Sequence, residues 1–475
     1  MSWEAVIGIE VHVQLRTERK LFCGNAVEFG AAPNTHVCPV CLGLPGALPA
    51  VNPEAVRLAV RTGLAFDCTV HERSVWARKN YVYPDLPKGY QITQFDEPIA
   101  TDGFVDFEVE GGERRVRIRR VHMEEDAGKL LHDRVPGATA VDLNRAGTPL
   151  VEIVTEPDLS TPEEVRAFLN ELKQILQFMD VSDCNMEEGS LRADANVSIR
   201  PRGSEGLGTK TEIKNVNSFS GIEKAVRLEI ERQVERAESG EAIHSATLLW
   251  DDHREVLRTM RSKEESHDYR YFDEPDLPPL IVPGRVIAAE RDALPERPRA
   301  LRLRLAHERG LSAYDAGVIA QSHRMAQYFE TVADGLGDAK LAANWVMGPL
   351  QALANASGVA AHEVPIPARR LVDLVELVQN DTISDGIGRA LLERMLTDER
   401  APIEIVEAEG LRQVRDDDAL GAWVDEVIGG HPDEVARYRE GETKIVGFLV
   451  GRVMRLSAGK ADPRRVNEVL RERLG

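Results

Sequence analysis

The sequence predicts an α+β protein in which a large domain on a mainly antiparallel sheet is followed by all-α regions. Two observations carry this. Up to about Pro283 the chain is a succession of strand-like stretches broken by Gly and Pro, with only two embedded helices. Past the segment PDLPPLIVPGR, from about Arg291, the apolar spacing turns helical, as in ERPRALRLRLAHERG and LAANWVMGPLQALANAS. The resulting boundaries are 1–290, 291–408 and 409–475. A length of 475 residues with 43% apolar side chains accommodates about two to four domains with sizeable cores.

The first element is VIGIEVHVQL. Side chains alternate faces along a strand, so Ile7, Ile9, Val11, Val13 and Leu15 share one face, and Gly8, Glu10, His12 and Gln14 the other. A carboxylate beside an imidazole fits either a solvated edge or a ligand-binding face, and side-chain-free Gly8 would let something approach closely. In VRIRRVHMEEDAGK, Glu124, Glu125 and Asp126 come together. In LNRAGTPLVEIVTEPD, Glu152 stands alone in an apolar run, a costly position for a charge unless it is paired or bound to a cation. The embedded helices follow. One starts at Thr161 as N-cap, with Pro162 in its first turn and Glu164 completing a capping box; the other spans roughly 221–239. Between them, LRADANVSIR puts Arg192, Asp194, Asn196 and Ser198 on one face, and TKTEIKNVN groups Lys210, Glu212 and Lys214.

Composition narrows the function. A formal charge of −20 speaks against a chain that is basic all over, although Lys444 to Gly475 carries eight basic against three acidic residues, a local candidate for phosphate-backbone contact. No signal peptide or apolar run of spanning length is recognised, which predicts a soluble, cytoplasmic protein without a membrane partner. Five cysteines argue for free thiols or a metal site over disulfides. There is no Walker loop, kinase catalytic loop or dinucleotide fingerprint, and no serine or cysteine in a recognisable amidase setting.

Glu10, His12, Glu125, Glu152 and Asp194 make an oxygen-rich set with one imidazole, which suits Mg²⁺ or Mn²⁺. Lysines interleaved with them suit phosphate, and six of the twelve lysines (Lys79, Lys88, Lys129, Lys210, Lys214, Lys263) fall in these polar stretches. Ordinary cross-sheet salt bridges are the competing reading. Cys38 and Cys41 form a C-x-x-C knuckle, and with Cys23 and His36 they offer a tetrahedral Zn²⁺ site, three buried thiols without metal being the alternative.

Several long motifs then carry a resemblance. VIGIEVHVQL, CPVCLGLPGALPAVN, ARKNYVYPDLPKGYQI, HMEEDAGK, VDLNRAGTPLVEIVTEPD, NMEEGSLRADANVSIRP, MRSKEESHDYRYFDEPDLPPL and GFLVGRVMRLSAGKADPRRVN closely resemble the GatB family, the B subunits of the tRNA-dependent amidotransferase GatCAB. The resemblance implies a cradle domain, a helical domain and a small helical YqeY-like tail, the last two gripping tRNA. It implies a ligase that uses ATP and Mg²⁺ to phosphorylate the side-chain carboxylate of misacylated Glu-tRNA(Gln) or Asp-tRNA(Asn). Ammonia, supplied by the amidase component of the GatCAB heterotrimer, then displaces phosphate; a small third component completes that complex. A non-discriminating aminoacyl-tRNA synthetase is a further implied partner. By resemblance, Glu10, His12, Glu125, Glu152 and Asp194 line the metal-containing kinase site; apart from the resemblance, Lys79, Lys88 and Lys210 are expected to contact phosphate or acyl groups. A metal-dependent hydrolase of a small acidic substrate is the alternative; it would act without tRNA or partners.

Overall fold

A computed structural model describes residues 2–262, 269–414 and 416–475; Lys263 and the stretch 263–268 of the MRSKEESHDYRYF motif lie outside the described residues. The chain divides into two compact units, residues 1–298 and 299–475.

The first unit is organised by a nine-stranded sheet. Its strands are β1 (Trp3–Gln14), β2 (Thr69–Val70), β3 (Ala100–Val109), β4 (Gly112–Glu125), β5 (Pro149–Thr155), β6 (Leu191–Pro201), β7 (Thr211–Lys214), β8 (Ala246–Asp251) and β9 (Val256–Ser262). The order across the sheet is β9-β8-β7-β6-β1-β5-β4-β3-β2, so the first strand of the chain lies at the centre. All neighbouring pairs are antiparallel except β7 with β8.

The period-two pattern of β1 accounts for that central place. Ile7, Ile9, Val11 and Val13 are at most 1% exposed, while Glu10, His12 and Gln14 on the other face are only half-buried. The apolar face carries on into Val151 and Ile153 of β5 and Ala193, Ala195 and Val197 of β6, and these side chains belong to one continuous core. Three amphipathic helices contribute to that core: α1 (Pro53–Ala65), α2 (Pro162–Phe178) and α3 (Phe219–Glu238). Each fully buried Leu, Ile or Phe contributes about 1.5–3 kcal/mol by leaving water. The N-terminus of α2 follows the sequence pattern: Thr161 Oγ1 accepts from Glu164 N–H at 3.1 Å, and Glu164 Oε2 accepts from Thr161 N–H at 3.3 Å.

Gly8 does not leave room for a ligand. A Cβ there would stand 3.7 Å from Pro157, so the chain's own turn after β5 fills the space.

The second unit is helical. In Ala368–Gln379, Leu371, Val372, Leu374 and Val375 are fully buried at i, i+3 and i+4 spacing. The LAANWVMGPLQALANAS stretch runs from an α-helix (Ala339–Trp345) through a π-turn at Val346–Leu350 into Gln351–Ser357; Pro349, which has no N–H to donate, sits in the π-turn. Near the C-terminus, Asp417–Gly430, Val446–Leu456 and Pro463–Leu474 close over Leu420, Val424, Leu449, Val453, Val466 and Leu470. Among the described residues, no helix is long and apolar enough to cross a membrane.

Candidate functional site

Strand register assembles the polar side chains. His12 lies opposite Glu152 on β5 and Arg192 on β6, and Glu152 lies opposite His122 on β4. One row thus crosses four strands as His122, Glu152, His12 and Arg192. Two residues along β1, Glu10 lies opposite Asp194, and Asn196 of β6 lies opposite Glu212 of β7. Directly opposed residues share a face, so these side chains line one side of the sheet. That side floors a cavity of about 380 Å³ lined by Glu10, His12, Lys79, Glu124, Glu152, Lys210, Glu212, Lys214 and the rings of Phe95, Tyr269 and Tyr271, among others.

His122 holds the centre of the site. Its Nε2 is 3.3 Å from Glu124 Oε1 and 3.1 Å from Glu152 Oε2, and His12 Nε2 lies 3.6 Å from the same Glu152 oxygen. Burial disfavours charge on His122, but the facing Glu152 and Glu124 outweigh it and raise the imidazole to about 9. Burial likewise opposes ionisation of the two carboxyls. For Glu124 the Lys79 ammonium and His122 win and bring it down to about 2; for Glu152, His122 leads in holding it well below the usual range. Lys79 stays above the ordinary lysine value although burial pulls it down, because Glu124 faces it. Glu10 moves the other way: burial and the neighbouring Glu152 and Glu212 raise its carboxyl.

His12, Glu124 and Glu152 bring one nitrogen and two oxygens within 4.8 Å of one another. This donor set fits a hard divalent cation that keeps water in its remaining positions. Glu10, Asp194 and Glu212 form a second such group. Asp194 also borders a larger neighbouring cavity of about 710 Å³, whose walls include Lys129, Arg145, Arg192 and Arg258.

The structure brings some of the expected site residues together and separates others. Glu10, His12, Glu152, Lys79 and Lys210 line the first cavity, and Asp194 joins Glu10. Glu125 and Lys88 are corrected. Successive side chains of β4 point to opposite faces, so Glu124 enters the cavity and Glu125 turns away, accepting from Ile92 N–H at 3.0 Å and pairing with Lys88. Lys88 is thereby held by Glu125 and does not line the cavity. The signal for Glu124 was legible, because His122 precedes it by two residues on the same face. Arg120, two residues earlier still, lines the cavity too. Phe95 stacks on Tyr271 with centroids 3.9 Å apart and planes within 8°. No periodicity in the sequence pairs those two rings.

The cysteines assemble separately. Cys23 and Cys38 each place Sγ 3.7 Å from Cys41 Sγ. Cys41 is pulled down to about 4, chiefly by the hydrogen bond from Cys23 and, against burial, with help from the ammonium of the fully buried Lys20. His36 does not join them, which corrects the four-ligand expectation: its Nε2 pairs with Glu28 at 3.2 Å, and only its backbone oxygen reaches Lys20, at 2.7 Å. Asn25 instead donates to Cys41 Sγ at 3.4 Å. Three thiols within 4.8 Å fit a thiolate-bound zinc ion with one position left for a ligand from outside the cluster.

Residues 5–288 match the family model described as the GatB/GatE catalytic domain, and residues 327–474 match one described as the GatB domain. Proteins named as the B subunit of aspartyl/glutamyl-tRNA(Asn/Gln) amidotransferase are similar over the full length. The one from Moorella thermoacetica is 51% identical over 476 residues, covering 100% of both chains. That of Caldanaerobacter subterraneus is 50% identical over 474 residues, and that of Geobacter sulfurreducens 49% over 477, each again covering 100% of both chains.

Proposed function

This chain belongs to the GatB family, and from that premise we propose how its cavity serves the reaction. It is the B subunit of a tRNA-dependent amidotransferase, a ligase that forms a carbon–nitrogen bond with glutamine as amido donor. The substrate carboxylate is the side chain of glutamate carried by tRNA(Gln), of aspartate carried by tRNA(Asn), or of both. A carboxylate resists ammonia. Transfer of the terminal phosphoryl group of ATP to one carboxylate oxygen gives an acyl phosphate, whose carbon is electrophilic and whose phosphate leaves readily. Ammonia adds to that carbon, phosphate departs, and a proton lost from nitrogen leaves the amide.

The observation that carries this reading is the His122–Glu152–His12 row with Glu124 and three lysines around one cavity. His12, Glu124 and Glu152 would hold Mg²⁺, which supplies charge neutralisation and alignment for phosphoryl transfer when bound. Lys79, Lys210 and Lys214 give the cavity fixed positive charge for phosphate oxygens. His122 keeps the two carboxylates oriented. The neutral faces of Phe95 and Tyr271 supply a stacking surface beside these charges.

The remaining parts follow the family. The amidase component supplies ammonia, the small third component completes the GatCAB heterotrimer, and a non-discriminating synthetase delivers the misacylated tRNA. Residues 291–408, of which 299–408 lie in the second unit, form the helical domain and 409–475 the YqeY-like tail; the separate core around Leu420, Leu449 and Leu470 supports the tail's division from the rest. The tail's basic residues contact the tRNA backbone, although Arg465 and Arg473 are already engaged by Asp417 and Asp425. Cys23, Cys38 and Cys41 would hold structural zinc; less than about half an equivalent in protein purified without chelator counts against it.

The test is reconstitution with the amidase and the small third component. ATP- and glutamine-dependent amidation of misacylated tRNA is expected, and His12→Ala is expected to abolish phosphorylation while tRNA binding persists. Full activity of His12→Ala refutes the assignment of the cavity.

A further inference from the structure

Two groups of ligand-type side chains share the polar face of the sheet, His12–Glu124–Glu152 and Glu10–Asp194–Glu212, and each brings its donor atoms within 4.8 Å. By composition both invite a divalent ion, as in two-metal phosphoryl-transfer sites. They differ in what already stands among their oxygens. In the first group, among the described residues, the only nitrogens within 4.0 Å of the Glu124 and Glu152 carboxylates in an ion pair are those of His12 and His122. In the second, Lys214 Nζ lies 2.8 Å from Asp194 Oδ2 and 3.1 Å from Glu212 Oε1. Its third carboxylate, Glu10, accepts from Asn196 Nδ2 at 3.0 Å.

An ammonium carries three donors on a compact charge, so it can serve two or three carboxylates much as a small cation does. Lys214 is also tethered. It shares β7 with Glu212, two residues away on the same face, and its neighbour Asn215 ends the strand with φ of 63° and an amide hydrogen bond to Trp250 O at 3.3 Å. An ion entering this group must displace an ammonium that is always at hand, whereas among the described residues no lysine pairs with the first group's carboxylates within 4.0 Å and the His122 imidazole contacts each through one nitrogen.

Taking the metal reading of the first group as its starting point, we propose that Lys214 is a positioning residue that fills the Glu10–Asp194–Glu212 group with its own ammonium. The wild-type cavity then takes one divalent ion, at His12, and keeps a fixed, non-exchanging positive charge at the other end. The second group is a latent metal site that Lys214 holds closed, and the carboxylates stay oriented toward the cavity whether or not metal is present.

The experiment titrates Mn²⁺ alone into the metal-stripped full-length chain and counts tightly bound equivalents by electron paramagnetic resonance of the free ion. Wild type is expected to bind one equivalent, lost in His12→Ala and kept in Asp194→Asn. Lys214→Met is expected to bind one more equivalent than wild type, and Asp194→Asn in that background removes it again. Lys214→Arg, which keeps a cation in place, is expected to match wild type and shows that any gain comes from lost charge and not from a disturbed strand. An unchanged count in Lys214→Met overturns the proposal. So does a second wild-type equivalent that Asp194→Asn removes. The wild-type count alone tests metal at His12, and the difference between Lys214→Met and wild type tests Lys214, so the two readings fail separately.

Discussion

The carboxylates of the two acidic groups share one face of one sheet, yet their surroundings drive Glu124 and Glu152 in one direction and Glu10 in the other. Glu124 and Glu152 are buried and are held ionised by His122 and Lys79. Glu10 is crowded by Glu152, Glu212 and its own burial, so its charged form is disfavoured even with Lys214 nearby. Like side chains on adjacent strands therefore do different work. One group is an anion pair around an imidazole, and the other a trio in which a lysine bridges two of the three acids. Desolvation raises a carboxyl, and a facing cation or a hydrogen-bond donor lowers it; the register of β4 against β5 brings His122 to Glu152, and Lys79, from outside the nine-stranded sheet, acts on Glu124.

This contrast can be broken first at the reaction. Glu152→Gln keeps the shape but removes a charge facing both imidazoles, and phosphorylation of misacylated tRNA is expected to fall by about 10²–10³-fold in single-turnover assays. Loss below about threefold would show that the first group is not central.

Stability gives the next largest difference. Glu152→Ala takes from buried His122 the nearer of its two carboxylate partners and leaves Glu124 alone to face both His122 and Lys79, and is expected to cost about 3–5 kcal/mol in denaturant unfolding of the metal-free chain. Asp194→Ala, whose partner Lys214 is 35% exposed, is expected to cost under about 1 kcal/mol. Equal costs would erase the distinction between the groups.

The pH dependence sharpens it. His122 is raised from 6.5 to about 9 on folding, so its contribution is complete below pH 6.5 and is lost as pH rises through about 9. Unfolding free energies measured in chelator between pH 6.5 and 9.5 should decline on the order of a few kcal/mol, and His122→Asn should flatten that decline. The smallest effect lies at Glu10. Because its ionised form is disfavoured, Glu10→Gln is expected to raise the stability of the metal-free chain slightly, by under about 1 kcal/mol, where Glu152→Gln lowers it. A loss in both variants would show that Glu10 is satisfied as an anion.

Much of this was legible from the residues alone. Period-two alternation identified the two faces of β1 and β6, the Thr161 capping box located the start of α2, and an isolated Glu152 in an apolar run marked a charge in need of a partner. Local rules suffice there because a strand's faces and a helix's first turn depend on residues within a few positions. The choice between Glu124 and Glu125 was also within reach of alternation, had His122 been used as its anchor.

The rest lies in distances along the chain that no local pattern spans. Opposition of His12 to Glu152, separated by 140 residues, depends on the register of β1 with β5. Lys214 meets Asp194 through β6 and β7, the Phe95 and Tyr271 rings come from segments far apart, and His36 is drawn off by Glu28 although spacing favours it as a fourth ligand. The sequence by itself determined which side chains face a common surface and which family's chemistry that surface serves. Only the tertiary structure decided which of them meet and which cation each acid faces, because charge is stabilised or penalised by neighbours roughly 3–4 Å away, and those neighbours are set by strand pairing.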